Sequence, residues 1–285
     1  MIKLIALDLD GTLMSPDHVT VSKENKAALK EAHDAGAKIA VATGRTLSIF
    51  GDVCEQVPEI DYILYSNGAA VYDRREQRVL HEHALDRTTC TQLLDFLDGF
   101  PAFLELYAGG QSYAQKDKEG FFPFDVFPKD FIEQARAGMV AVDDFRSVLQ
   151  TRSAEKLTVY LTDKAQYRAV WDALIGRKDL AVTTSFPISI DLTRAGADKG
   201  TALQALCRHL GVSPEQCMAF GDAENDCPML RFAFYGYAMA KGSDACKQAA
   251  SFVTKSNAED GVAVAVRQVM QLSRTASLNF FDNLE

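Results

Sequence analysis

Short apolar runs alternate with longer amphipathic stretches in the first 65 residues of the chain. Three of these runs are typical of buried strands, at 2–7, 37–42 and 62–65. The stretch Lys23 to Ala35 is rich in Ala, Leu, Lys and Glu and is followed by Gly36, which predicts a helix that ends there. With a second helical stretch near 46–56, this order predicts a doubly wound parallel sheet of the α/β class.

The alternation changes near residue 84, where antiparallel strands are predicted. Two strand-like runs, 103–107 and 111–114, flank Ala108-Gly109-Gly110, which is a hairpin sequence. Further predicted elements are a strand at 156–161, a helix at 164–175 and strands at 181–184 and 188–192, with a bend at Phe186-Pro187. We therefore predict an inserted α+β domain over 84–190, between a first domain part at 1–83 and its second part at 191–285.

The C-terminal part returns to the pattern of the first 65 residues. Its predicted elements are a helix at 201–210, strands at 217–220, 237–240 and 252–254, and a helix at 260–272. The last residues, 273–285, are predicted to be a tail. These strands would complete the parallel sheet of the first domain.

Two carboxylates stand at the end of the first predicted strand. Asp8 and Asp10 leave it on the same side because one residue separates them, and Gly11 allows the backbone to turn sharply. In phosphoryl transfer one carboxylate can attack phosphorus while a second carboxyl protonates the departing oxygen, and Mg²⁺ would keep the attacking group ionised. Such a pair could also simply cap the next turn, so on its own it leaves both interpretations open.

Polar residues also follow other predicted elements. Thr43 comes directly after the second strand, and the acidic segment 221–226 follows the strand at 217–220. Lys199 lies at a helix N-terminus, where free amides and the helix dipole favour an anion. Because the ends of parallel strands meet at one edge, we expect these groups near Asp8. Taken singly, the threonine could cap a helix, and the lysine and acids could be solvated surface residues.

Composition narrows the possible partners and location. The net charge of -9 argues against a nucleic-acid or anionic-membrane partner, but not against a small anion held by local cations. The six cysteines and five histidines show no metal-ligand spacing, which predicts reduced thiols and no zinc site. Asp8 and Asp10 interrupt the apolar N-terminal run, so we do not expect it to be a signal peptide. No stretch approaches the ~20 apolar residues of a membrane span. We therefore expect a cytoplasmic protein.

Four polar segments resemble, in sequence and in order along the chain, the signatures of the haloacid dehalogenase superfamily, and in particular those of its Cof-type phosphatases of subfamily IIB. They are Asp8-Leu9-Asp10-Gly11-Thr12, Thr43-Gly44-Arg45, Lys199-Gly200 and Gly221-Asp222-Ala223-Glu224-Asn225-Asp226. Segments at 67–69, 238–239 and 257–262 also resemble the family, so the resemblance covers nearly the whole chain. It implies a Rossmann-like core in which the insert forms an α/β cap.

The resemblance implies a Mg²⁺-dependent phosphatase that hydrolyses small phosphomonoesters, such as sugar phosphates or phosphorylated cofactors, through an aspartyl-phosphate. Asp8 would be the nucleophile, and Asp10 the general acid and then the general base. The phosphate-binding residues would be Leu9, Thr43, Gly44, Lys199 and Asn225. Mg²⁺ would be held by Asp8, Asp10 (through its backbone carbonyl) and Asp222, with Asp226 in support.

The leaving group would be contacted by the cap and by neighbouring core residues. The candidates are Arg45, Asn67, Tyr107, Lys116 and Lys118, beside the aromatic segment Phe121-Phe122-Pro123-Phe124, which could instead form the cap's own core. We expect a small phosphorylated metabolite as partner, no nucleic acid or membrane, and a monomer or homodimer. A phosphohexomutase and a non-catalytic regulator that binds a phosphorylated metabolite are the alternatives.

Overall fold

The computed structural model describes residues 1–122, 132–133, 136–184 and 187–282, with side chains as far as residue 271. Its strands form two sheets. The first contains β1 (Leu4–Leu7), β2 (Lys38–Ala42), β3 (Ile60–Tyr65), β4 (Ala70–Asp73), β5 (Arg78–Glu82), β12 (Cys217–Gly221), β13 (Tyr235–Ala238) and β14 (Phe252–Val253). The second contains β6 (Phe103–Ala108), β7 (Gln111–Gln115), β8 (Met139–Val142), β9 (Ala154–Tyr160), β10 (Leu180–Thr183) and β11 (Ser189–Arg194).

The α-helices lie between these strands and pack on both sheets. They are α1 (Lys23–Asp34), α2 (Val53–Gln56), α3 (Arg87–Leu97), α4 (Phe145–Val148), α5 (Lys164–Leu174), α6 (Lys199–Leu210), α7 (Cys227–Phe232), α8 (Asp244–Ala249) and α9 (Gly261–Asp282). None of the helices in the described residues is both long enough and apolar enough to cross a membrane.

The first sheet has the order β14-β13-β12-β1-β2-β3-β4-β5, and its strands are parallel from β14 to β3. This confirms the predicted α/β class and places β1 between β2 and β12. The strands β4 and β5 extend the edge in antiparallel fashion and were not predicted. The chain reverses between β3 and β4 at Asn67 and Gly68, which have positive φ values of 57° and 84°.

Helices cover both faces of the first sheet, as the doubly wound prediction requires. Along β1, Ile5 and Leu7 pack in a cluster with residues of α1 and α9, whereas Leu4 and Ala6 face α6, α7 and α8. Successive strand residues point to opposite faces, so a strand covered on both sides is apolar throughout. Burial of each large side chain contributes about 1.5–3 kcal/mol to this packing.

The second sheet has one apolar and one polar face. Its order is β10-β11-β9-β6-β7-β8, antiparallel except for β7 and β8. Leu104 and Leu106 of β6 pack with Leu157 and Val159 of β9 in one cluster that includes residues of α3, α4 and α5. On the other face of these strands most residues are polar, among them Glu105, Lys156 and Thr158, and this face turns towards the end of the first sheet.

Two predicted elements differ from the structure. The helical stretch expected at 46–56 is a short 3₁₀ turn at Leu47–Ile49 followed by α2, because Gly51 adopts a positive φ of 73° between them. The helix expected at 260–272 continues to Asp282, since no glycine or proline stops it, so the predicted tail is wrong for 273–282. Pro123, Phe124, Phe186 and 283–285 lie outside the described residues.

Candidate active site

The turn after β1 places Asp8 at the centre of the parallel sheet edge. The Asp8 amide donates to the Phe220 carbonyl of β12, which keeps the strand paired up to its last residue. Gly11 then takes a φ of +89°, and a Cβ at this position would lie 2.4 Å from a carboxylate oxygen of Asp222. Glycine is therefore required here both for the backbone and for the close approach of the neighbouring loop.

Three carboxylates and one ammonium group meet beside this turn. Candidate ligand atoms of Asp8, Asp222 and Asp226 lie within 4.8 Å of one another. Lys199, at the first position of α6, is buried and donates to Asp8 Oδ1 and to Asp226 Oδ1, both at 2.6 Å. The structure thus brings together four residues from the two ends of the chain, since Lys199 lies 191 positions after Asp8 and 27 before Asp226.

Hydrogen bonds fix the other carboxylate oxygens of this group. Asp226 Oδ2 accepts from the backbone amides of Asp222 and Ala223, at 2.9 and 3.0 Å. Thr12 donates its hydroxyl to Asp222 Oδ1 at 3.0 Å. The loop after β12 is consequently held in one shape, with Asp222 directed towards Asp8.

The crowding of carboxylates changes their acidity. Burial, and then the charge of Asp226, raise the pKa of Asp8 well above its usual range. The same two causes raise the pKa of Asp222 to about 6. Burial acts to lower the pKa of Lys199, but Asp226 and Asp8 outweigh it and raise that pKa, so the ammonium form is retained.

The group fits a divalent cation by charge and by donor type. Within the described residues, one ammonium group faces three carboxylates, so two negative charges are unbalanced when all three carboxylates are ionised. Carboxylate oxygens are the ligands that hard cations such as Mg²⁺ prefer. Asp8 and Asp222 could ligate directly, whereas both oxygens of Asp226 are engaged by Lys199 and backbone amides, which suits a supporting role.

Asp10 lies apart from this group and is bound by the side chains of Arg45 and His18. Arg45 donates from Nε and from a terminal nitrogen to the two Asp10 oxygens, at 3.0 and 2.7 Å, and His18 Nδ1 lies 3.2 Å from Oδ1. Burial would raise the pKa of Asp10, but the His18 hydrogen bond and the Arg45 charge lower it to about 2. Asp10 is therefore ionised at neutral pH.

The predicted phosphate-binding residues lie in different places around Asp8. Thr43 follows β2, is buried, and accepts the Arg45 amide on Oγ1 at 3.1 Å. The Leu9 side chain is buried in the core, so only its backbone could meet a ligand. Asn225 lines the cavity beside Asp222 and donates from Nδ2 to Asn67 Oδ1 at 3.1 Å.

A cavity of about 250 Å³ lies between the carboxylates and the second sheet. Its floor includes Asp8, Asp10, Thr43, Gly44, Arg45 and Asn225, and its roof includes Glu105, Tyr107, Lys156, Tyr160 and Asp191. Among the cavity residues that the second domain contributes, the sequence pointed to Tyr107 and Phe122. The signal that could have revealed the others is the period of two in β6 and β9, where Glu105, Tyr107, Lys156 and Tyr160 alternate with leucine and valine.

The roof is attached to the floor by buried polar contacts. Lys156 donates to the Gly44 carbonyl at 2.7 Å and lies 4.3 Å above the centre of the Tyr107 ring. Glu155 accepts from Ser66 at 2.9 Å. These contacts place a cation of the second sheet next to the segment that contains Thr43.

The remaining predicted cap residues are distributed unevenly. Lys116 lies on the surface in an ion pair with Asp143 at 3.0 Å, and neither Lys116 nor Lys118 lines the cavity. Phe122 does line the cavity, where its ring also packs edge-on against Phe103, while Phe121 is exposed.

Comparison with known proteins agrees with this geometry. The model of the haloacid dehalogenase-like hydrolase family matches residues 5–266. The chain is 29% identical over 270 residues to the 5-amino-6-(5-phospho-D-ribitylamino)uracil phosphatase YcsE of Bacillus subtilis, covering 93% of this chain and 95% of that protein. It is 27% identical to the phosphatase YwpJ of the same organism, covering 94% of this chain and 100% of the relative.

A solved structure shows the same architecture. The structure of a haloacid dehalogenase-like hydrolase from B. subtilis superposes with a TM-score of 0.83 at 27% identity, covering 93% of this chain and 99% of that one. The match extends over both sheets and over all four polar segments. The chain belongs to the haloacid dehalogenase-like hydrolase family and, within it, to the Cof-type phosphatases.

Proposed function

We propose that the protein is a Mg²⁺-dependent phosphatase that hydrolyses small phosphomonoesters, such as sugar phosphates, through an aspartyl-phosphate on Asp8. The observation that carries the proposal is the meeting of Asp8, Asp222 and Asp226 with Lys199 at the floor of a cavity. In this proposal Asp8, Asp222 and the Asp10 carbonyl would hold the metal, and Asp226 would support them. When bound, Mg²⁺ would neutralise the carboxylates and the phosphoryl oxygens.

The first step belongs to Asp8 and Asp10. A carboxylate oxygen of Asp8 forms the bond to phosphorus as the bond to the leaving oxygen breaks, and Asp10 gives that oxygen its proton. For this step the Asp10 carboxyl carries a proton, so its bonds to Arg45 must loosen when substrate enters. Thr43, Gly44, Asn225 and the Leu9 amide bind the phosphoryl oxygens, and Lys199 balances their charge.

The second step uses the ionised form of Asp10 that the Arg45 contact favours. Asp10 removes a proton from water, the water oxygen attacks phosphorus, and the bond to Asp8 breaks to release inorganic phosphate. The same carboxyl thus ends the cycle protonated, ready for the next leaving group.

The second sheet is proposed as the cap that receives the leaving group. The predicted insert 84–190 contains most of this sheet, and the structure continues β11 to Arg194. Glu105, Lys156 and Tyr160 supply a carboxylate, an ammonium and a hydroxyl to the roof. This combination suits a hydroxylated leaving group, because each of its hydroxyls can both donate and accept a hydrogen bond.

The proposal is tested by phosphate release from an aryl phosphate and from a panel of sugar phosphates. We expect release with Mg²⁺, loss of release with a chelator, and loss in Asp8→Asn, which keeps the shape and removes the nucleophile. Thermal melting of Asp8→Asn controls for folding. Near-normal turnover by this variant, or turnover unaffected by the chelator, would contradict the mechanism.

A further inference from the structure

A line of hydrogen bonds joins the roof of the cavity to the loop that contains Asp222. Asn225 Nδ2 donates to Asn67 Oδ1 at 3.1 Å, and Asn67 Nδ2 donates to Asp191 Oδ2 at 3.0 Å. Asp191 belongs to β11 of the second sheet and is 1% exposed, and Asn67 is 4% exposed, so this end of the line is shielded from bulk water. Two amide groups are therefore placed in series between a cap carboxylate and the phosphoryl site.

The carboxylate decides which way both amides face. An ionised carboxylate only accepts hydrogen bonds, so the group that Asn67 turns towards Asp191 must be its NH₂. Asn67 then presents its carbonyl oxygen on the other side, and Asn225 must meet that oxygen with its own NH₂. A reversal of either amide would place two acceptors face to face, or two donors, and break the line.

Other contacts hold Asp191 in place. Thr158 donates to Asp191 Oδ1 at 2.8 Å, and the Lys156 ammonium lies 3.5 Å from the same oxygen. These two contacts to Oδ1 orient the carboxylate so that its other oxygen, Oδ2, faces Asn67. The carboxylate is anchored within the second sheet before it contacts the first domain.

The end of the line lies at the candidate active site. Asn225 is in the loop between Asp222 and Asp226 and lines the cavity. Its Oδ1 is buried and has no hydrogen-bond partner within the described residues. Buried polar atoms are normally paired, and an exception at a cavity is typical of a group that a water molecule or a ligand donor completes. Phosphoryl oxygens only accept hydrogen bonds, so Asn225 can bind them only through the second N–H of Nδ2, whose first N–H is held by Asn67. Its orientation therefore matters for what the site can bind.

We propose that Asp191 is a positioning residue for catalysis, which acts through Asn67 to fix the orientation of the Asn225 side chain. The inference rests on the proposed phosphatase function, but the orientation itself can be measured without turnover. Through Asp191, the second sheet thus contributes to the phosphoryl site of the first domain.

Nuclear magnetic resonance of side-chain amides tests the orientation in the full-length protein. The chain has six asparagines, so ¹⁵N-asparagine labelling gives a small set of NH₂ signals: Asn25, Asn67, Asn225, Asn257, Asn279 and Asn283. We expect Asp191→Asn, which can present either end of an amide, to shift or double the Asn225 signals. Asn67→Gly, which tolerates the positive φ of this position, should do the same without disturbing the Lys156 ion pair.

Two further variants separate positioning from general disruption. Thr158→Val removes a neutral hydrogen bond to the opposite oxygen of Asp191 but leaves the Lys156 contact, which still anchors the carboxylate, so the Asn225 signals should stay unchanged. The exchange Asn67→Asp with Asp191→Asn places a carboxylate at 67 that can accept from both neighbours, so a single Asn225 signal pair should return.

Kinetics give the second readout, with an aryl phosphate as the probe. We expect kcat to fall by about tenfold in Asp191→Asn and Asn67→Gly, less than the loss of a donor that touches the reacting group, and to recover in the exchange variant. Asn225 signals in Asp191→Asn identical to those of the wild type would overturn the proposal. An increase in KM confined to Asp191→Asn and absent from Asn67→Gly would also overturn it, because it would assign Asp191 to direct substrate contact.

The two proposals fail in different ways. If the wild-type protein releases no phosphate from any tested ester while the Asn225 signals respond as expected, the phosphatase function fails and the positioning by Asp191 stands. If phosphate is released and the Asn225 signals do not respond, the phosphatase function stands and the positioning by Asp191 fails.

Discussion

Substitution of Gly11 by alanine is the sharpest test of the geometry at the end of β1. The added Cβ would lie 2.4 Å from a carboxylate oxygen of Asp222, whereas ordinary contact begins at 3.4 Å. The carboxylate must therefore move by about 1 Å, as the difference between these distances requires. Because it is the end of a side chain, it can rotate away, so the variant should fold while Asp222 leaves the acidic group.

Gly36→Ala is the matched control for the backbone. Gly36 has a φ of +95°, close to the +89° of Gly11, but a Cβ there would meet nothing within 4 Å. Both variants should lose about 1–2 kcal/mol of stability, because an L-residue is strained at positive φ. For a chain of this size we expect a fall in Tm of about 2–4 °C per kcal/mol in each.

Activity should separate the two variants. A displacement of about 1 Å at a catalytic group can reduce the rate about 100-fold, so Gly11→Ala should lose phosphatase activity while Gly36→Ala keeps it. Phosphate release measured at saturating Mg²⁺, with melting curves of both variants, is the assay. Equal turnover in the two variants would refute the argument that the close approach of Asp222 requires glycine.

Two further predictions concern cations at and near the site. Lys199→Met should lower the free energy of unfolding by about 3–5 kcal/mol in urea titrations, because it leaves two buried carboxylates unpaired. The control Lys30→Met breaks an exposed ion pair and should leave the free energy of unfolding nearly unchanged, and equal losses in the two variants would contradict this reasoning. Lys156→Met should lower kcat/KM for sugar phosphates more than for an aryl phosphate, since it removes a donor from the roof. Lys116→Met alters a surface ion pair outside the cavity and should leave kcat/KM unchanged for both substrates. If Lys116→Met changed the selectivity as much as Lys156→Met, a role for Lys156 in the roof would be contradicted.

The acidic group was predictable because parallel strands end at the same edge of a sheet. Asp8 follows β1 and Asp222 follows β12, and these strands are neighbours, so a rule of topology brings the two together without any detail of packing. Lys199 was predictable for a similar reason, since a helix that returns to the sheet begins at that edge. The orientation of the Asp226 carboxylate depends on two backbone amides, which no sequence pattern specifies.

The roof of the cavity was not predictable to the same degree. Alternation shows that Glu105 and Lys156 lie on one face of their strands, but not which residues stand opposite one another. Tyr107 pairs with Lys156, but the next pair is Ala108 with Ala154, so a register shift leaves Glu155 without a partner on β6, and no sequence pattern indicates this shift. The hairpin of β4 and β5 was missed because its outer strand is largely exposed and shows no clear apolar face.

The place of β12 between β13 and β1 has a consequence for the order in which the protein is made. Until residues 217–221 have left the ribosome, β1 can pair on one side only, with β2. Its other edge, Leu4–Leu7, is then an unpaired apolar strand, which is a site for association with other chains. Chains truncated before residue 217 should therefore aggregate, and the acidic group forms only when the last strands close the sheet.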